Sequence, residues 1–177
     1  NAKAYMFYLN AADLLAIGGE YSNPAIIQQA ELLIRQAISA DSTFSDAYVL
    51  WAKAFFSLGK SNDTVMHLAN RALHFKEKNA EAYFMKGQVY FHRLSMFKEA
   101  EEAFKKAIEY NPVDHKGYDG LGDLMWIQGK TEQQIKYKLK ALKLLKRTSR
   151  GYDPTYYLSF QLYALGFFTE GLKLAEE

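Results

Sequence analysis

Apolar residues recur three and four positions apart along most of the chain. Tyr83, Gly87, Tyr90 and Leu94 form one such run, and Ala100, Phe104, Ala107 and Ile108 form another. That spacing gathers side chains on one stripe of an α-helix. Helix punctuation falls between the runs. Gly59, Gly129 and Gly166 sit where a helix ends and the chain needs a left-handed residue. Asn23-Pro24 and Asp153-Pro154 read as cap-plus-first-turn pairs, Thr131 to Gln134 as a capping box, and Pro112 as a separator. The pattern predicts helices over 3–17, 24–40, 45–58, 62–75, 80–93, 97–110, 114–128, 132–146, 154–165 and 169–177.

Laying the chain on itself at an offset of 35 residues brings like residues together. Ala47, Ala82 and Gly117 align, and Tyr48, Tyr83 and Tyr118 follow them. Ala52, Gly87 and Gly122 fall together, as do Ala37, Ala72, Ala107 and Ala141. Two helices pack closely only where side chains shrink, so these columns predict buried helix–helix contacts. The helices therefore pair into units at about 3–41, 45–79, 80–112, 114–147 and 153–177, read as one repeat domain over 1–177. No unit buries its apolar face alone, so the expected fold is all-α, a right-handed α-solenoid of about five helix–turn–helix repeats.

The repeat from Ala80 to Pro112 closely resembles the tetratricopeptide repeat. It has aromatics at Tyr83 and Tyr90, Gly87 between them, then Ala100, Phe104, Ala107 and Pro112. It departs by one extra residue in the Arg93-Leu94-Ser95-Met96 turn, where glycine is usual. Residues 115–145 match through Tyr118, Gly122, Gly129 and Ala141, but Lys138 stands where the family prefers an aromatic. A narrower likeness lies in Ala4-Tyr5, Tyr8-Leu9, Ala11, Ala30, Ala37-Ile38 and Ala47-Tyr48, which resemble the repeat tails of multidomain bacterial signalling proteins. With an opening residue other than Met, that likeness implies a piece of a longer protein, the helical arm of a regulator.

The resemblance also implies a concave groove lined by the first helix of each unit. Its groove columns correspond to Tyr8, Ala12 and Leu15; Val49, Lys53 and Phe56; Phe84, Gln88 and Phe91; Asp119, Asp123 and Trp126; Tyr156, Phe160 and Tyr163. Such an aromatic lining suits an extended peptide or amphipathic helix with apolar anchors. For the column of Phe56, Phe91 and Trp126, packing against neighbouring helices is an equal alternative.

Composition narrows the function further. There are only 3 Pro and no Cys, against 13 Tyr and 12 Phe. Scarce proline suits uninterrupted helices. Absent cysteine excludes disulfides and thiol chemistry and fits a reducing, cytoplasmic setting. The apolar run from Tyr156 to Phe168 is too short to span a bilayer. It also offers an alternative role, a face for self-association into a homo-oligomer. The net charge of +2 hides eight basic residues against one acid from Lys130 to Arg150, a local excess of seven that leaves the rest at −5. Lys136, Lys138, Lys140 and Lys143 thus form a candidate basic patch. It reads as a solvated face or as a surface for nucleic acid, an anionic membrane or an acidic partner domain; nucleic acid is disfavoured because only Tyr137 is interleaved for stacking.

Little points to catalysis. Gly117 to Asp123 lacks the Lys-Ser or Lys-Thr of a phosphate loop and the carboxylate spacing of a calcium loop. His67, His74, His92 and His115 are dispersed, without a metal-binding pattern. The expected function is that of a non-catalytic scaffold for a protein or peptide, with no metal and no cofactor.

Overall fold

A computed structural model describes residues 1–19 and 23–145. Eight helices follow in order among them: α1 (Ala2–Gly19), α2 (Pro24–Ala40), α3 (Ser45–Ser57), α4 (Asn62–Phe75), α5 (Ala80–His92), α6 (Phe97–Tyr110), α7 (His115–Ile127) and α8 (Thr131–Leu145). Each starts and ends within two residues of its predicted position. The helices expected over 154–165 and 169–177, with Gly166, lie outside the described residues. The chain divides into two compact units, Asn1–Tyr110 and Asn111–Glu177.

Unit 1 consists of three antiparallel-type pairs, α1–α2, α3–α4 and α5–α6. Its first helices also approach one another, α1 beside α3 and α3 beside α5, whereas α2 and α4, or α4 and α6, do not. The three pairs therefore fan out with α1, α3 and α5 on the inner side. Unit 2 contains the pair α7–α8.

The aligned small residues make this packing possible. Ala37, Ala47, Ala52, Ala72 and Ala82 are fully buried, and Ala107 and Ala141 nearly so. Gly87, Gly117 and Gly122 are buried as well. At Gly87 a methyl group would stand 2.5 Å from Cε1 of Phe104, itself fully buried. The missing Cβ is the space the ring occupies. A second buried cluster joins Ile27, Ala30 and Ile34 of α2 to Ala11 of α1 and to Leu50 and Ala54 of α3.

Local signals fix the helix ends. Asn23 accepts from the Ala25 amide at 3.0 Å, Ser61 from Thr64 at 3.3 Å and Asp114 from Lys116 at 3.1 Å, each satisfying a donor the first turn leaves free. Gly59 and Gly129 close α3 and α7 with φ of 67° and 69°. At the corresponding turn after α5, Ser95 takes the left-handed conformation with φ 53°. The extra residue there is thus accommodated without glycine. The capping box expected from Thr131 is corrected: Thr131 already lies inside α8. Gln134 does not reach back to the helix start but is buried, 2% exposed.

Candidate functional site: the inner face of unit 1

Asn79 shows how successive pairs are joined. Its Oδ1 accepts from the Ala82 amide at 3.1 Å and caps α5, while its Nδ2 donates to Ser45 Oγ and Asp46 Oδ1, both at 2.8 Å. Ser45 Oγ in turn donates to the Ala72 carbonyl at 2.8 Å. This small polar network is buried and ties the start of α3 and the end of α4 to the start of α5. In the repeat register Asn79 aligns with Asp114 and with Phe44. Asp114 caps α7, but Phe44 precedes α3 and provides no side-chain cap.

At this position an aromatic cluster replaces the cap. The Phe44 ring lies 5.1 Å from Tyr8 and 6.5 Å from Tyr5, and the two tyrosines stack at 6.1 Å. Phe44 and Tyr8 are half-buried, and Tyr5 is 54% exposed. Burial raises the Tyr8 hydroxyl pKa above its ordinary value, and the negative charges of Asp46 and Glu81 raise it further. A position that usually satisfies a backbone donor is given to a half-buried ring, a local rule broken of the kind found at binding sites. Tyr5 and Phe44 were missed in the sequence; the signal was an aromatic in an otherwise polar capping column.

The other expected groove residues divide into three groups. Lys53 is exposed, and Phe84, Gln88, Ala12 and Leu15 are half-buried on α5 and α1. Phe84 also packs on the core, its ring 5.9 Å from Phe104. Val49 and Phe91 are corrected: they are 4% and 8% exposed, so they belong to the interior and offer a ligand almost no surface. The physical reason is the approach of α3 to α5, which seals Val49 among Ala82, Met85 and Val89, and the packing of Phe91 against Phe97 and Phe104. Phe56 is half-buried and covered on one side by the Arg93 guanidinium, 4.2 Å above its ring. Arg93 also donates to the Phe56 and Lys60 carbonyls, closing the end of α3.

In unit 2, Trp126 is 54% exposed. Asp119 and Asp123 both hold Lys138, whose Nζ stands 2.7 Å from Asp119 Oδ1 and 2.6 Å from Asp123 Oδ1. Lys138 therefore does not belong to the basic patch: its side chain is only 12% exposed and packs over Gly122. Burial disfavours its charge, but the charge of Asp119, hydrogen bonds to both aspartates and the charge of Asp123 outweigh this, so its pKa is raised. Lys136, Lys140 and Lys143 remain exposed. Tyr156, Phe160 and Tyr163 lie outside the described residues. Among the described residues no three His, Asp or Glu side chains converge to hold a metal, and no helix is long and apolar enough to cross a membrane.

Residues 80–114 match the family model of the tetratricopeptide repeat. Human protein O-mannosyl-transferase TMTC1 is 24% identical over 141 residues, 77% of this chain; the chain spans 15% of the length of that curated relative. Among solved structures, PilF of Pseudomonas aeruginosa superposes with a TM-score of 0.75 at 17% identity, over 99% of this chain and 74% of that one. The APC/C hetero-tetramer Cut9–Hcn1 gives 0.70 at 16%, over 97% of this chain and 36% of that one. One repeat thus matches the tetratricopeptide-repeat family model, and the consecutive helix pairs give the chain the fold of a tetratricopeptide-type helical array.

Proposed function

We propose that the chain is a non-catalytic protein-interaction module, the regulatory arm of a larger protein, and that the inner face of unit 1 receives a partner segment. The segment is an extended peptide or an amphipathic helix with apolar anchors. The observation that carries this reading is the Tyr5–Tyr8–Phe44 cluster, where partly exposed rings stand in place of a helix cap. Rings of this kind supply large contact area at low entropic cost. Lys53 and Gln88 provide polar contacts along the same helices, and Phe84 a half-buried apolar edge. The similar fold in a hetero-tetrameric assembly accords with a scaffold role.

The test is selection from a displayed random-peptide library, followed by affinity measurement. Enriched peptides should carry aromatic or aliphatic anchors, and Tyr8→Ala and Phe44→Ala should each weaken them by about 2 kcal/mol, the usual scale of an anchor. Both variants should retain nearly unchanged helicity. Peptides that bind the variants as tightly as the parent chain, or a library that yields no enrichment, would refute the reading.

A further inference from the structure

The tyrosine that recurs in three of the repeats carries a cation from the second helix of its own pair. Arg71 lies 5.5 Å from the centre of the Tyr48 ring, Lys106 5.1 Å from Tyr83 and Lys140 5.9 Å from Tyr118. In unit 1 each of these tyrosines has a second ring beside it, Phe75 at 5.5 Å from Tyr48 and Tyr110 at 5.5 Å from Tyr83. In unit 2 the corresponding column holds Leu144. Beside Tyr118 lies a cleft of about 430 Å³, lined by Tyr118, Lys136, Tyr137, Leu139, Lys140 and Lys143.

Helix geometry explains the composition of this cleft. At 3.6 residues per turn, positions 136, 140 and 143 of α8 share one side, with 137 and 139 at its margins, and 138 points the opposite way. One run of lysines is therefore sorted into two environments. Lys138 turns inward to Asp119 and Asp123, while Lys136, Lys140 and Lys143 rim the cleft. None of these three forms a close ion pair with a carboxylate among the described residues. Tyr118, Tyr137 and Leu139 are half-buried beneath them and form an apolar floor.

We infer that this cleft of unit 2 is a second docking site, and that it takes an acidic peptide segment bearing an aromatic or aliphatic side chain. Charge complementarity fixes the sign of the partner: three ammonium groups on a short rim favour carboxylates. The apolar floor fixes the rest, because a purely polar polyanion leaves Tyr137 and Leu139 without a contact. The lining contains no Asn or Gln to read adenine, and three cations within two helical turns reach few phosphates. A protein segment therefore fits better than a nucleic acid. This site is independent of the inner face of unit 1 and uses none of its residues.

Fluorescence anisotropy on the full chain distinguishes the occupants. The probes are a short labelled peptide of Asp and Glu around Phe and Leu, the same peptide with Ser for Phe and Leu, and a single-stranded oligonucleotide of equal charge. The Phe/Leu peptide should bind most tightly. The triple variant Lys136→Gln, Lys140→Gln, Lys143→Gln should weaken it about tenfold, the combined effect of three exposed charge contacts. Lys78→Gln with Lys98→Gln, two exposed lysines of unit 1, should leave it unchanged. Glutamine is as good a helix former as lysine, and far-ultraviolet circular dichroism verifies that the triple variant folds. Equal binding of all three probes, tighter binding of the oligonucleotide, no binding at low salt, or an unaffected triple variant would each overturn the inference.

Discussion

In the α5–α6 pair, the side chain opposite the helix glycine is the ring of Phe104, fully buried over Gly87. In α7–α8 it is Lys138, whose methylenes cover Gly122 and whose ammonium reaches past it to Asp119 and Asp123. The backbone register is the same, and the chemistry that fills it differs. The apolar version takes its stability from area removed from water and from dispersion contacts. The ionic version covers the glycine with a flexible stem and anchors the far end to carboxylates that are 51% and 45% exposed. Water competes for those carboxylates, so the pair adds little net stability. In both pairs a long side chain covers the glycine, and apolar character is one way of supplying it.

The comparison is broken most severely at the ring. Phe104→Ala should cost about 3–5 kcal/mol in chemical denaturation, whereas Lys138→Met should change stability by no more than about 1 kcal/mol, since a stem of similar length remains and the aspartates stay hydrated. An equal loss at both positions would show that the ion pairs, and not the stem, hold α8 to α7.

The glycines come next. A Cβ at Gly87 would meet the Phe104 ring at 2.5 Å, and one at Gly122 would meet Lys138 Cγ at 2.9 Å. A buried ring cannot yield, so Gly87→Ala should cost about 1–3 kcal/mol by overpacking, despite a gain of about 1 kcal/mol in helix propensity. A lysine stem can shift, so Gly122→Ala should cost less, with propensity offsetting the crowding. Paired thermal melts would reveal the ordering, and the reverse ordering would contradict it.

Alkaline pH separates the two pairs without a change of volume. The folded pKa of Lys138 lies above the unfolded value of 10.5, so folding strengthens proton binding there. The resulting stabilisation is fully present below 10.5 and is lost as pH rises through the raised value. From neutral pH up to 10.5 the stability of the parent chain relative to Lys138→Met should thus hold constant, and above 10.5 the parent should lose stability relative to the variant. A parent chain that gained on the variant above 10.5 would reverse the sign of the linkage.

The smallest effect concerns the turns. Ser95 adopts the left-handed conformation that Gly59 and Gly129 adopt without strain. Ser95→Gly should gain about 1 kcal/mol, and a loss would mean that the serine side chain matters more than its backbone strain.

Much of the fold was legible because small residues leave no choice. Ala52, Gly87 and Gly122 recur where helices must approach, and only small residues stand there. Surfaces were less legible. A column position states which helix face a residue occupies, but not how far the neighbouring helix extends over it, and so Val49 and Phe91 passed for groove residues. Lys138 stood out as a departure from the repeat, yet its partners went unnoticed; Asp119 and Asp123, four apart on one face of α7, were the available signal. Phe44 was overlooked because its meaning lies in a cap it fails to provide.

The most direct test of the account is an NMR titration of the isotope-labelled chain with a library-selected, apolar-anchored peptide. The account predicts shift changes concentrated at Tyr5, Tyr8, Phe44, Lys53 and Gln88, with the outward residues of α2, α4 and α6 undisturbed. Changes concentrated on those outer helices, with the inner face silent, would contradict it.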